Sequence, residues 1–337
     1  MKKVFLLFMT ASLMFVSCES ESTTATSDKE GAKVSSEISD EFRALRERAL
    51  EDITQRSTVF YSSERGGVFE TNSSTQISIP ADAIRAHNGE RINGNIEIVY
   101  IEIFNKSKMA VTNKPTMGLV DGERRLLETG GEFYLDITYE GQQVDIVSPI
   151  KVNISTSNSD AEPTGMVLWN GDINNNENLT WIPAFAEDLR FENTGAVYEG
   201  GKNEFYDVVL TRSRNFGWCN IDVFVDFEGP LSFITVEPPA GFDDHNSSVY
   251  LAVEGQNNML AQFDIFNAST NTFEEHGGLV SEGLKCHIIF VSGQGGNFIY
   301  SIQSVTVGPS ASYSISNSSL ITTSNYTQLE AAIDALP

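Results

Sequence analysis

Cysteine, histidine and positive charge are all scarce in this chain. Its 337 residues include 3 cysteines and 4 histidines, and 22 Lys and Arg stand against 46 Asp and Glu, for a formal net charge of −24. Nucleic acid is a poor partner for such a chain, because phosphate contacts need clustered Lys and Arg. Electrostatic attachment to anionic lipid is disfavoured for the same reason. The acid is spread along the sequence, which reads as a solvated, self-repelling surface. His87, His245, His276 and His287 lack the spacing of zinc ligands. His276-Gly277-Gly278 has no Gly-x-Ser-x-Gly elbow to serve as an oxyanion loop. "SGQGGNF" lacks the Lys-Ser/Thr of a phosphate loop. Both read as turns. No cofactor is implied, and a non-catalytic role is expected.

Long apolar runs are missing too. The longest, Val4 to Val16, follows Lys2-Lys3 and is shorter than the roughly 20 residues of a membrane-spanning helix. It has the build of a secretory signal, residues 1–17. Its end, Phe15-Val16-Ser17-Cys18, resembles the bacterial lipobox, with Phe15 and Val16 where that pattern prefers leucine and a small residue. The resemblance implies that Cys18 carries a lipid and becomes the new amino terminus. Each buried methylene contributes about 0.8 kcal/mol, and stable anchoring takes more than one acyl chain. A triacylated cysteine meets that demand. The expected location is the bacterial outer membrane, on either its surface or its periplasmic face.

Residues 18–37 are rich in Ser, Thr and Glu with no apolar period, as in a lipidated flexible tether. Residues 38–57 follow as an amphipathic helix: Ile38, Phe42, Leu45, Ala49 and Ile53 share one face, and Ser39 caps it. From Val59 the period changes to two. In "GEFYLDITYEG", Phe133, Leu135, Ile137 and Tyr139 alternate with polar residues, and in "IKVNIST" Ile150, Val152 and Ile154 do the same. "NIEIVYIEIF" breaks parity at Val99, so it holds a bulge or is covered on both sides. Asn88-Gly89, Asn93-Gly94 and Gly130-Gly131 read as turns between strands. Such punctuation predicts an all-β fold of two antiparallel β-sandwich-like modules in tandem. The first spans 58–160 and the second 217–337, and 161–216 forms a connecting β segment with an Asn-rich loop. Thr327 and Glu330 suggest a capping box for a short C-terminal helix.

"GGVFETNSSTQISIPADAI" followed by "NGERINGNIEIVYIEIF" resembles the ZU-five sandwich module of ankyrins and netrin receptors. "KMAVTNKPT", "LLETGGEFYLDITYEGQQVDI" and "FGWCNIDVF" resemble envelope lipoproteins of Bacteroidetes-type bacteria. The resemblance implies an exported all-β protein and transfers no catalytic residue. Four features of the residues themselves remain as candidate sites. Cys219 and Cys286 lie on apolar strand faces, where they either pair, worth about 4 kcal/mol in the chain-entropy model, or stay buried thiols. Asp172, Asn174, Asn176 and Asn178 space oxygen donors as calcium prefers, without the loop glycine or the closing bidentate acid. Trp169 and Trp181 could stack on a sugar, or pack in a core. The expected role is a scaffold, adhesion or assembly component that meets the membrane through a lipid on Cys18 and an envelope protein or glycan through its loops. A glycan-binding lipoprotein is the first alternative, and an envelope hydrolase with dispersed carboxylates the second.

Overall fold

Alternating apolar residues carry through to the architecture. The structure, a computed structural model, describes residues 37–161, 165–174, 177–184, 189–192, 205–211, 216–275 and 280–337. These belong to one unit within Gly31–Pro337. Strands make up 51% of the chain and three α-helices are described, so the class is all-β. Residues 1–36, which hold the expected signal, Cys18 and all of the expected tether but Glu37, lie outside the described residues.

Strands of three or more residues carry numbers. The first half holds α1 (Asp40–Ile53), β1 (Gln55–Ser62), β2 (Gly67–Glu70), β3 (Gln76–Ile79), β4 (Asn93–Ile103) and α2 (Lys106–Thr112). It continues through β5 (Met117–Val120), β6 (Glu123–Tyr139), β7 (Ile150–Ser155), β8 (Val167–Ile173), β9 (Leu179–Pro183), β10 (Leu189–Glu192), β11 (Phe205–Leu210) and β12 (Gly217–Phe224). One sheet runs β1-β4-β6-β12-β8-β9-β5, and a second runs β10-β11-β7-β3-β2. Their facing sides share a core that includes Ile77, Ile98, Phe133, Leu135, Val152 and Ile221. Residues 161–216 are therefore no connector, since β8 and β9 belong to the first sheet and β10 and β11 to the second. The strand Gly217–Phe224 also pairs with β6, so it belongs here and not to the C-terminal part.

Three expectations about local structure change. Asn93-Gly94 is not a turn: both residues open β4 and pair with Ser62 and Tyr61 of β1. Gly130-Gly131 is not a turn: both glycines lie inside the 17-residue β6, where the register with β12 shifts between Ile221 and Asp222. Gly130 is the extra residue, and a Cβ there would meet the Tyr206 ring at 2.8 Å. β4 keeps unbroken register with both neighbours, so it has no bulge. Ile96, Ile98 and Tyr100 face the core of the two sheets while Ile103 packs against the helices, so the strand is covered on both sides.

The bulge lets β6 serve two bodies. Its first turn, Asp121-Gly122, has φ of 53° and 83°, suited to a two-residue hairpin back to β5. β5 also bridges β9 through Trp181 and Gly118, which closes β6, β12, β8, β9 and β5 into a ring. Leu127, Trp169, Leu179 and Trp181 fill it.

The second half holds β13 (Ile234–Glu237), β14 (Ser247–Val253), β15 (Ile265–Asn267), β16 (Thr272–Glu274), β17 (Lys285–Gln294), β18 (Asn297–Thr306), β19 (Ala311–Ser314), β20 (Ile321–Thr323) and α3 (Tyr326–Asp334). One sheet includes β14-β17-β18-β20 and the other runs β15-β16-β13-β19. All seven residues of β14 are buried, as expected for a strand covered on both faces. On one face Val249, Leu251, Ile288 and Phe290 meet the smaller sheet; on the other Tyr250, Ile289 and Phe298 meet all three helices. α1 presents Phe42, Leu45 and Ala49 to this face. It ends at Ile53, and Gln55, Arg56 and Ser57 already belong to β1 rather than to the helix. Asn325, not Thr327, caps α3: its Oδ1 accepts from the Thr327 backbone N–H at 3.0 Å.

Candidate functional site

Cross-strand partners share a face of a sheet, and this places an acid cluster beside the tryptophans. Trp169 pairs with Asn220, Asn220 with Glu132, and Asp222 with Thr129. Glu132, Asn220 and Asp222 thus point to the ring side of the sheet, opposite Phe133 and Ile221. All three are 0% exposed. The Asn220 amide donates to Asp222 Oδ2 at 2.6 Å, and the Thr129 hydroxyl donates to Asn220 Oδ1 at 2.6 Å. Both oxygens of Glu132 and Oδ1 of Asp222 have no hydrogen-bond partner. An ionised carboxylate in that position would be strongly disfavoured. Burial, and then the nearby Asp222 carboxylate, hold the Glu132 carboxyl well above its ordinary range, against the opposing Lys114. Burial does the same to Asp222, opposed by the Thr129 hydroxyl. Lys114, at the entry to β5, is pushed down to about 8 by burial and by Arg46. Its ammonium donates to the Thr112 carbonyl at 3.1 Å and lies 5.4 Å from the centre of the Trp218 ring. The cluster can hold protons and is closed off from solvent.

A second polar chain ties the helices down. Arg46, 3% exposed, donates to Ser248 Oγ at 2.6 Å and to the Tyr250 hydroxyl at 3.2 Å. Tyr250 donates to Asn113 Oδ1 at 2.6 Å, and the Asn113 amide donates to the Glu177 carbonyl at 2.8 Å. Arg43 Nε in turn donates to Glu177 Oε1 at 2.6 Å.

The sequence-derived candidates fare unevenly. Trp169 and Trp181 are 1% and 0% exposed, and their indole N–H groups donate to the carbonyls of Asp222 (3.3 Å) and Pro115 (2.9 Å). Neither ring face is open to a sugar. In the Asn-rich loop, Asn174 Oδ1 accepts from the Asn178 backbone N–H at 3.1 Å, and Asn178 Oδ1 accepts from the Gln262 amide at 2.9 Å. Asp172 lies in β8 opposite Thr180, and Asn176 is outside the described residues. The side-chain oxygens of Asn174 and Asn178 are thus engaged by the fold, Asp172 is exposed, and no group of three or more His, Cys, Asp or Glu able to hold a metal occurs among the described residues. The position lacking glycine, Glu177, nevertheless adopts φ of 60°. Cys219 sits in the core of the first two sheets and Cys286 in that of the C-terminal sheets, each as a thiol. They do not pair. Burial pushes both thiols up to about 12, with Glu254 adding to the effect at Cys286. His276-Gly277-Gly278 and Cys18 lie outside the described residues.

Two of the openings among the described residues bear on recognition. One is an apolar cavity of about 120 Å³ where β6 and the residues after β12 meet β14, walled by Leu126, Val225, Phe227, Leu251 and Phe263. The Arg125–Asp226 ion pair stands on its rim. The other is a polar groove of about 490 Å³ at the end of α1. The sequence singles out neither the sealed acids nor the groove. Glu132 alternates with Phe133 like any outward-facing residue, and the groove's residues come from three separate stretches.

No family model matches this chain, and no curated protein matches it.

Proposed function

We propose that this chain is a non-catalytic, lipid-anchored protein of the bacterial outer membrane that acts as a scaffold, adhesion or assembly component. One observation supports the non-catalytic part: Glu132 and Asp222, whose carboxyls burial holds well above their ordinary range, are closed off from solvent. Catalytic acids are tuned in the same way, but they stand in clefts. The openings that do reach solvent have linings suited to recognition. The anchoring part rests on Lys2-Lys3, the apolar run and Cys18. We further read the two halves as β-sandwich-like modules, the first resembling ZU-five. Separate cores under each pair of facing sheets support that reading. If Cys18 carries the lipid, the segment up to Glu37 spans at most roughly 65 Å even when fully extended. The partner then lies close to the membrane.

The test is metabolic labelling with an alkyne palmitate. The parent chain should take up label and partition with membranes, and Cys18→Ala should do neither. Label retained by Cys18→Ala would sink the anchoring reading. Protease shaving of intact cells then separates a surface location, where the band is lost, from a periplasmic one, where it survives until lysis.

A further inference from the structure

We propose that the polar groove at the end of α1 binds a short, uncharged oligosaccharide. Its volume, about 490 Å³, falls in the range of small-molecule sites. The lining alternates donors and acceptors: the amides of Gln55 and Asn72, the hydroxyls of Ser57 and Ser73, and the carboxylate of Glu102. A polyol needs such a mixture, whereas an apolar ligand would cover the donors and acceptors left over from the bonds these groups make with one another. Phe69 supplies an aromatic part of the wall.

Charge narrows the ligand class. Asp52, Glu70 and Glu102 oppose an anion, and so does the negative end of the α1 dipole. Arg56 and Lys108 oppose a cation, although Arg56 is held by Glu51 at 2.7 and 2.8 Å. What remains is a neutral, hydroxyl-rich molecule.

The groove is also built in advance. Glu102 Oε1 accepts from the Ser73 hydroxyl and, at 3.5 Å, from the Gln55 amide. Gln55 Oε1 accepts from the Asn72 backbone N–H at 2.9 Å. Thr71 Oγ1 lies 3.0 Å from Ser73 Oγ and accepts from the Thr75 N–H at 3.1 Å. The Asn158 amide donates to the Ser73 carbonyl at 3.3 Å. This net pins the loop between β2 and β3, in which Ser74 is held at φ of 65°, a conformation that L residues rarely adopt. Backbone strain maintained by surrounding bonds is a feature of ligand clamps. The Asn72 side chain stays exposed at the rim, in position to meet a ligand.

The inference rests on the reading of this chain as a binding protein, and its test separates the two. The full chain in detergent would be titrated with maltotriose, cellotriose and chitotriose, with binding followed by saturation-transfer NMR and calorimetry. Saturable binding of at least one is expected. Asn72→Ala, which touches no bond of the net, and Glu102→Gln, which keeps an acceptor, should each weaken it about tenfold, as loss of a hydrogen bond to the ligand or to a charged group does. Glu274→Gln, remote from the groove, should bind as the parent does, and thermal melts check that each variant folds. Absence of saturation with all three sugars overturns the groove assignment alone, as does unchanged binding by both groove variants. Cleavage of a trisaccharide overturns the non-catalytic reading as well.

Discussion

Strands β6 and β12 have two covered faces that could hardly differ more. Toward the second sheet, Phe133, Leu135, Ile137 and Ile221 join a core in which nearly every side chain is hydrocarbon. Toward the ring, the same strands bury Glu132, Asn220 and Asp222 next to two tryptophans. Both faces exclude water, yet only the first follows the rule that interiors are apolar. The second buries carboxyl groups in a place that favours their protonated form, since burial outweighs the opposing pull of Lys114 on Glu132 and of Thr129 on Asp222. Burial and hydrophobicity are separate properties here, divided by the thickness of one sheet.

Truncation tests whether the ring is packed as firmly as the core behind it. Trp181→Ala and Phe133→Ala should each cost about 3–5 kcal/mol in denaturant unfolding. A loss under about 1 kcal/mol for Trp181→Ala alone would mean that the ring relaxes around the void and is not an equivalent core. A smaller, pH-dependent effect separates the two faces by charge. In the unfolded chain Glu132 ionises near 4.5, whereas the folded chain holds its proton above that value. Stability is therefore full below the unfolded value and falls by about 1.4 kcal/mol for each pH unit above it, until the folded carboxyl titrates. Glu132→Gln lacks this loss, so its urea midpoint should gain on the parent's between pH 5 and pH 8. Parallel profiles would show that Glu132 is ionised, and hence wet or paired, in the fold. The smallest effect is none at all. With Cys219 and Cys286 in different cores, a reductant should leave the melting temperature unchanged, and a fall would reveal a bond between them.

The division between the faces also marks how far the sequence can be read. Period-two alternation in Phe133-Leu135-Ile137 is legible because one face is apolar and the other polar, and polar is read as wet. That assumption fails at Glu132, since nothing local reports that a ring closes over it. Closure depends on Trp181 meeting Gly118, more than sixty positions away in the chain. Gly130-Gly131 looks like a turn because a bulge uses the same residue type, and only the register with Ile221 and Asp222 tells the two apart. Val99 to Ile103 signals its double coverage openly, because a strand with neither face in water has no need to alternate. Trp169 and Trp181 have the chemistry to stack on a sugar, but their indole N–H groups are spent on backbone carbonyls. The groove leaves no mark in any single stretch, since Gln55, Asn72 and Glu102 come together only through pairing of β1 with β4 and the turn after β2.

α1 sits near one end of the chain and its receiving surface near the other. Ser39 donates its backbone N–H to His245, Arg46 reaches Ser248 and Tyr250, and Phe42 and Leu45 lie against Gly293. A chain emerging in order from the ribosome therefore makes this helix early and cannot seat it until some two hundred further residues have appeared. Contacts of such long sequence separation slow folding. The first half can close its own core while α1 waits, and the helix is locked in place only when β14 and β17 arrive.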